Sequence, residues 1–280
     1  MIKQTFNIPN LLTATNMLSG VVAIILALSG RIDIAPLCIF VGLLCDFLDG
    51  FLARKLGIAG ELGKQLDSLA DMITFGVAPG VIMMVVMVSS IYMDSFSTET
   101  NFTSYVHYEL SLWINAVFYN VDNDMNASIK YLPFIALFIP FMSMFRLAKF
   151  NLDTRQNDSF IGLPTPLNTF FFLFFPLVMA MNFEQWHNQE SIYSLLFNPY
   201  LLTVLIVLMS CLLLAELPLF SLKVKHFSWK ENEVRYIFLI VCVILILSIR
   251  VWAIPIIVIL YLILSFIENK LIKKSKINEV

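Results

Sequence analysis

Apolar runs of bilayer length recur along most of the chain, and they restrict it to folds whose backbone polar groups are satisfied within each segment. With 59% hydrophobic residues, 25 Phe among 280 positions and a mean hydropathy of +0.83, it is too apolar for a water-soluble globule. The expected class is an all-α integral membrane protein. A window suited to roughly 30 Å of hydrocarbon predicts a polytopic helical bundle of about eight transmembrane helices. They fall near residues 10–29, 34–54, 66–90, 131–150, 164–182, 199–222, 236–249 and 252–268. The last two come from one run interrupted at Arg250, with Trp252 and Pro255 just beyond, and its length predicts a tight hairpin.

Basic residues orient this bundle. With the N and C termini both cytoplasmic, every Lys and Arg except Arg31, Lys130 and Arg250 falls on the inner side, as the positive-inside rule requires. The first run lacks a small-residue cleavage site and continues into a second span, so it is expected to remain in the mature protein. No internal repeat is visible, and a single domain over 1–280 is expected. It divides into a core near 8–182 and accessory helices over 199–268. A polar insertion at 91–130 holds Asp94, Glu99, Glu109, Asp122 and Asp124 on the outer face, and its aromatic middle, Tyr105 to Tyr119, predicts a surface helix. Cys38, Cys45, Cys211 and Cys242 lie inside apolar runs and read as small buried hydrophobes.

Against this background the stretch DFLDGFLARKLGIAGELGKQLDSLAD, from Asp46 to Asp71, is chemically out of place. An ionised aspartate at membrane depth costs several kcal/mol, so four persist together only with a cationic partner. Asp46 and Asp49 are three residues apart at the cytoplasmic end of the second span. Asp67 and Asp71 are four apart at the start of the third, so each pair shares a helix face and the two faces form a carboxylate cage. Hard oxygen ligands select Mg²⁺ or Mn²⁺, and two such cations would clamp the attacking and leaving oxygens of a phosphoryl transfer. Gly50 and Ala53 leave the backbone open to a flat base or a pyrophosphate, and Gly63 does the same opposite them. Arg54 offers a planar fork for phosphate. Lys55 and Lys64 read as interface residues, and Glu61 as a solvated loop carboxylate. Gly76 and Gly80 are equally compatible with close helix packing.

Asp46, Asp49, Gly50, Ala53, Arg54, Gly63, Asp67 and Asp71 reproduce, in order and spacing, D-x-x-D-G-x-x-A-R-x(8)-G-x-x-x-D-x-x-x-D. This pattern resembles the signature of the CDP-alcohol phosphatidyltransferase family. The resemblance implies that the four aspartates hold two divalent cations. It further implies that the nucleotide of a CDP-linked lipid binds along Asp49, Gly50, Ala53, Arg54, Gly63 and Asp67, and that Asp71 is the general base. IPNLLTATN at 8–16, LDSLADMITFGVAPG at 66–80, RLAKFN at 146–151 and FIGLPTP at 160–166 are most similar to the serine-using members.

The function implied is transfer of the phosphatidyl group from CDP-diacylglycerol to the hydroxyl of L-serine, releasing CMP. The setting implied is the bacterial inner membrane, with the active site facing the cytoplasm. Expected partners are the two substrates and the lipid bilayer, with a homodimer as a further possibility and no nucleic acid. Arg146, Lys149, Asn151 and Arg155 are the candidates for contacts to serine. Two rivals are the same chemistry on glycerol 3-phosphate or inositol phosphate, and a cation or proton transporter using the carboxylates as a relay. Glu216, inside the predicted sixth span, is left unassigned. His107, His187 and His226 fall on different loops and do not point to a shared metal.

Overall fold

The computed structural model describes residues 6–92, 101–119, 127–153, 160–187, 191–219 and 229–278. Helix α1, Ile8–Leu28, starts where the Asn7 side chain accepts from the Asn10 N–H at 2.9 Å and Pro9 occupies the first turn. Its buried stripe is Pro9, Thr13, Asn16, Gly20, Ala23 and Ala27, small or polar residues at helical spacing. Such a stripe lets backbones approach closely where hydrophobicity cannot drive one helix onto another. It packs on α2, Ala35–Lys55, and a Cβ on Gly20 would lie 2.6 Å from Thr74 Oγ1.

Gly57, at φ 66°, ends the turn after α2, and α3, Glu61–Asp71, follows from an extended Gly60. Glu61 is therefore the first helical residue rather than a loop residue, although it is exposed as expected. An acid in the first turn complements the helix dipole, which carries the helix beyond the apolar run. A π-helical turn, Met72–Val77, leads from α3 into α4, Ala78–Ile91. Together Glu61–Ile91 form the central helix, with 78% of its apolar window buried against 33% or less for the other long spans. Gly80 belongs to its packing, since a Cβ there would lie 2.7 Å from Pro140 Cδ.

Helix α5, Phe102–Phe118, lies in the 91–130 insertion and buries one face: Tyr105, Val106, Glu109, Leu110, Trp113 and Ala116. Glu109, expected on the solvated outer face, is thus enclosed, because its register places it on the apolar stripe. Helix α6, Phe138–Leu152, follows a 3₁₀ segment, Leu132–Leu137. Helix α7, Thr165–Met181, supplies the Phe171–Phe175 part of the core, and α8 covers Pro199–Leu212.

The sixth span is shorter than the predicted 199–222. After Leu212 the chain turns so that Pro218–Leu219 pairs antiparallel with Phe160–Ile161. Gly162 and Leu163 donate to the Leu217 and Leu212 carbonyls, so backbone bonding passes from helix to loop and Glu216 falls outside the helix. Helices α9, Trp229–Ile249, and α10, Ala253–Asn278, meet at Arg250, whose φ is 50°. The Phe238 and Tyr261 ring centroids are 5.9 Å apart, so the two helices form the predicted hairpin. Among the described residues five stretches are long and apolar enough to cross a membrane, the last being this hairpin, and α7 and α8 are shorter apolar helices. Of the four cysteines only Cys45 is buried, while Cys211 is exposed.

Candidate active site

Helical periodicity brings Asp46 and Asp49 to one face of α2 and Asp67 and Asp71 to one face of α3, and the Gly57 turn sets those faces against each other. Asp46, Asp49 and Asp67 each present an oxygen, all within 4.8 Å of one another. The Asp71 carboxyl sits against Asp46 and Asp67. Four carboxylates this close repel strongly, and shared cations are the natural compensation. The donor set, all hard oxygen, fits Mg²⁺ or Mn²⁺.

These acids floor a cavity of about 550 Å³. Gly50, Ala53, Arg54 and Gly63 line it, with Ile58, Ala59 and Gly60 from the connecting turn. A Cβ on Gly50 would meet only the Arg54 guanidinium, at 3.4 Å, and one on Gly63 only Asn10 Oδ1, at 3.6 Å. Both glycines therefore open onto the cavity rather than onto a packed helix. Arg54 folds back over Gly50 on the Asp49 side.

Helix α1 supplies a wall that the sequence reading did not assign. Pro9, Asn10 and Thr13 line the cavity, and the Thr13 hydroxyl donates to Asp49 Oδ2. Asn16 Nδ2 donates to Asp71 Oδ1 at 3.2 Å. The available signal was Asn10, Thr13 and Asn16 at three-residue steps inside an apolar run. Lys64, read as an interface residue, also lines the cavity, and its Nζ donates to the Asn151 carbonyl at 3.0 Å. Its position one turn before Asp67 on the cavity face accounts for this.

The candidates for serine are placed differently. Arg146 is buried, donates from Nε to the Leu163 carbonyl at 3.2 Å and lies over the Phe150 ring. Lys149 pairs with Glu216 at 3.7 Å. Asn151 Nδ2 donates to Ser68 Oγ at 2.7 Å, tying the end of α6 to α3. Arg155 lies outside the described residues, as does His226. Neither Arg146, Lys149 nor Asn151 lines the aspartate cavity.

The family model for CDP-alcohol phosphatidyltransferase matches residues 6–263, which includes every wall of this cavity. The chain belongs to the CDP-alcohol phosphatidyltransferase family. Within that family it is similar to a CDP-diacylglycerol–serine O-phosphatidyltransferase of Bacillus subtilis, 32% identical over 163 residues, which is 57% of this chain and 69% of that protein. An archaetidylserine synthase of Methanothermobacter thermautotrophicus is 29% identical over 163 residues, covering 57% of this chain and 53% of the relative. A CDP-diacylglycerol–serine O-phosphatidyltransferase of Helicobacter pylori (strain J99) is 32% identical over 167 residues, 59% of this chain and 55% of that protein. The chain thus aligns with about half the length of the latter two.

Proposed function

We propose that this phosphatidyltransferase moves the phosphatidyl group of CDP-diacylglycerol to the hydroxyl of L-serine, giving phosphatidylserine and CMP. The observation that carries the reading is the convergence of four aspartates, Arg54 and two unhindered glycines on one cavity. That two relatives are CDP-diacylglycerol–serine O-phosphatidyltransferases supports serine as acceptor over glycerol 3-phosphate or inositol phosphate. A transporter would have no use for Gly50, Ala53 and Arg54 in register with the acids.

Asp46, Asp49, Asp67 and Asp71 would hold two divalent cations, Mg²⁺ or Mn²⁺, whose charge would neutralise the pyrophosphate and stabilise the transferring phosphoryl group. Gly50, Ala53 and Gly63 admit the nucleotide to the backbone, and Arg54 holds phosphate charge as CMP leaves. Asp71 accepts the serine hydroxyl proton as the serine oxygen attacks the lipid-proximal phosphorus in line. Lys64 and Arg54 are the cations on the described cavity wall, and we assign Lys64 to the serine carboxylate. Arg146 and Asn151 shape that wall from behind.

The core at 8–182 carries this chemistry, and the helices over 199–268 brace it. By the distribution of basic residues the cavity opens to the cytoplasm, where serine and CMP exchange while the acyl chains stay in the inner leaflet. The test is CMP release from CDP-diacylglycerol with serine, glycerol 3-phosphate or inositol phosphate, each with and without Mg²⁺ or Mn²⁺. Serine-dependent, metal-dependent release is expected. Release with another acceptor alone would reject serine, and no release with any acceptor would reject the reaction.

A further inference from the structure

We propose that Asn16 is the positioning residue for Asp71, holding its carboxylate in the arrangement from which it takes the serine proton. The inference rests on the reading of Asp71 as general base.

Asn16 lies within α1 and is 0% exposed. Its Nδ2 donates to Asp71 Oδ1 at 3.2 Å, while its own Oδ1 is buried with no hydrogen-bond partner. A half-satisfied amide inside an apolar helix bundle is costly, and packing alone would favour an apolar residue there. The orphan oxygen marks a group retained for what its other end does.

The surroundings hold Asn16 from three helical elements. The hydroxyls of Ser19 and Thr74 both donate to the Asn16 backbone carbonyl, at 2.6 and 2.8 Å. Thr74 belongs to the π turn that begins directly after Asp71, so Asn16 is bonded both to the carboxylate and to the turn that follows it. On the third side is Gly42 of α2, where a Cβ would lie 2.9 Å from Asn16 Oδ1 and 2.6 Å from Ser19 Oγ. Only glycine leaves the niche that the amide occupies. Insertions of π geometry commonly mark functional positions, and here the wider turn brings Thr74 onto α1.

The chemistry follows from the bond. With Oδ1 engaged by Asn16, the proton from serine passes to Asp71 Oδ2 as the new O–P bond forms and the P–O bond to CMP breaks. Asn16 keeps both its protons throughout and touches no substrate atom in this scheme. It acts by limiting the rotation of Asp71 through the bond to Oδ1.

The test is Asn16→Leu, which keeps the branched shape with bulkier ends and removes the donor, measured beside Asn16→Ser, which is smaller and retains a donor. For each, kcat and KM for serine, Mn²⁺ and CDP-diacylglycerol binding by calorimetry, and the melting temperature in detergent are recorded. Expected for Asn16→Leu is a fall in kcat of about 10- to 100-fold, the range set by losing one hydrogen bond to a charged group. CDP-diacylglycerol binding should stay within about threefold of the parent, the scale of a perturbation under 1 kcal/mol, and Mn²⁺ binding should weaken by clearly less than kcat falls, because Asp46, Asp49 and Asp67 keep their oxygens together. Asn16→Ser should recover part of the loss in kcat. If Asn16→Leu fails to fold, Asn16→Ala against Asn16→Ser gives the same comparison. Parental kcat in the donor-free variant overturns the proposal, and so does a loss of Mn²⁺ binding that matches the loss in kcat. Asp71→Asn run in parallel separates the two readings: turnover surviving there removes Asp71 as base whatever Asn16 does.

Discussion

Thr13 on α1 donates its hydroxyl to Asp49 on α2, across 36 positions of sequence, and the Pro9 carbonyl 3.1 Å from the same oxygen is the alternative acceptor. The bond fixes one oxygen of a cage acid from outside the signature motif. Thr13→Val keeps the shape and removes the donor, and it should raise the Mn²⁺ concentration needed for half-maximal CMP release by about 10-fold. Thr13→Ser should stay close to the parent. A metal titration of both variants checks this, and an unchanged Thr13→Val would show that the bond does not orient Asp49.

The four aspartates should separate by phenotype. Asp71→Asn is expected to abolish turnover while CDP-diacylglycerol binding largely persists, because the proton acceptor is lost and the Asp46, Asp49 and Asp67 cluster remains. Asp46→Asn and Asp67→Asn should also weaken Mn²⁺ binding, since each removes an oxygen from the cluster within 4.8 Å. Calorimetry with Mn²⁺ on the three proteins distinguishes the classes. Equal activity in Asp71→Asn would remove its assignment as base.

Lys64→Met should raise KM for serine by about 10-fold or more with little change in KM for CDP-diacylglycerol, the scale of one charge-assisted bond. Initial rates at varied serine decide it, and an unchanged serine KM would return Lys64 to a purely structural tie to Asn151.

Two glycines should respond oppositely to the same added methyl group. At Gly80 a Cβ would lie 2.7 Å from the rigid Pro140 ring, so Gly80→Ala should lower the melting temperature by several degrees. At Gly50 the nearest atom is the flexible end of Arg54, at 3.4 Å, so Gly50→Ala should leave the melting temperature alone and raise KM for CDP-diacylglycerol. Thermal unfolding and kinetics on both variants test the pair, and a destabilised Gly50→Ala would contradict its placement as an open cavity wall.

Glu109 predicts a pH dependence of stability independent of catalysis. It is 0% exposed, and burial pushes its carboxyl up to about 8. The folded protein therefore keeps a proton that the unfolded chain loses near the ordinary value of 4.5. Stability from this site is complete below that value, falls as pH rises towards about 8, and is level beyond it. Glu109→Gln should flatten this slope and melt higher than the parent at the alkaline end. Melting curves in detergent across that interval check the sign, and an identical slope in Glu109→Gln would assign it elsewhere.

Much of this protein was legible in the chain because the decisive information is local. Apolar length gave the spans, Arg250 marked the hairpin, and the steps from Asp46 to Asp49 and from Asp67 to Asp71 placed each pair on one helix face. The short Gly57 turn left those two faces little choice but to meet. Periodicity says which residues share a face, however, and not which face meets which. In a bundle of this composition lipid-facing and buried surfaces are equally apolar, so hydropathy could not show that Glu109 is enclosed or that Glu61–Ile91 is the central helix. Nor could it bring Thr13 and Asn16 to the cage, end α8 at Leu212, or occupy Lys149 with Glu216. Those outcomes depend on contacts between segments distant in sequence, where small residues allow close approach and each buried polar group must find a partner. The chain determined that a carboxylate cage would exist, and tertiary packing decided which residues hold it in shape.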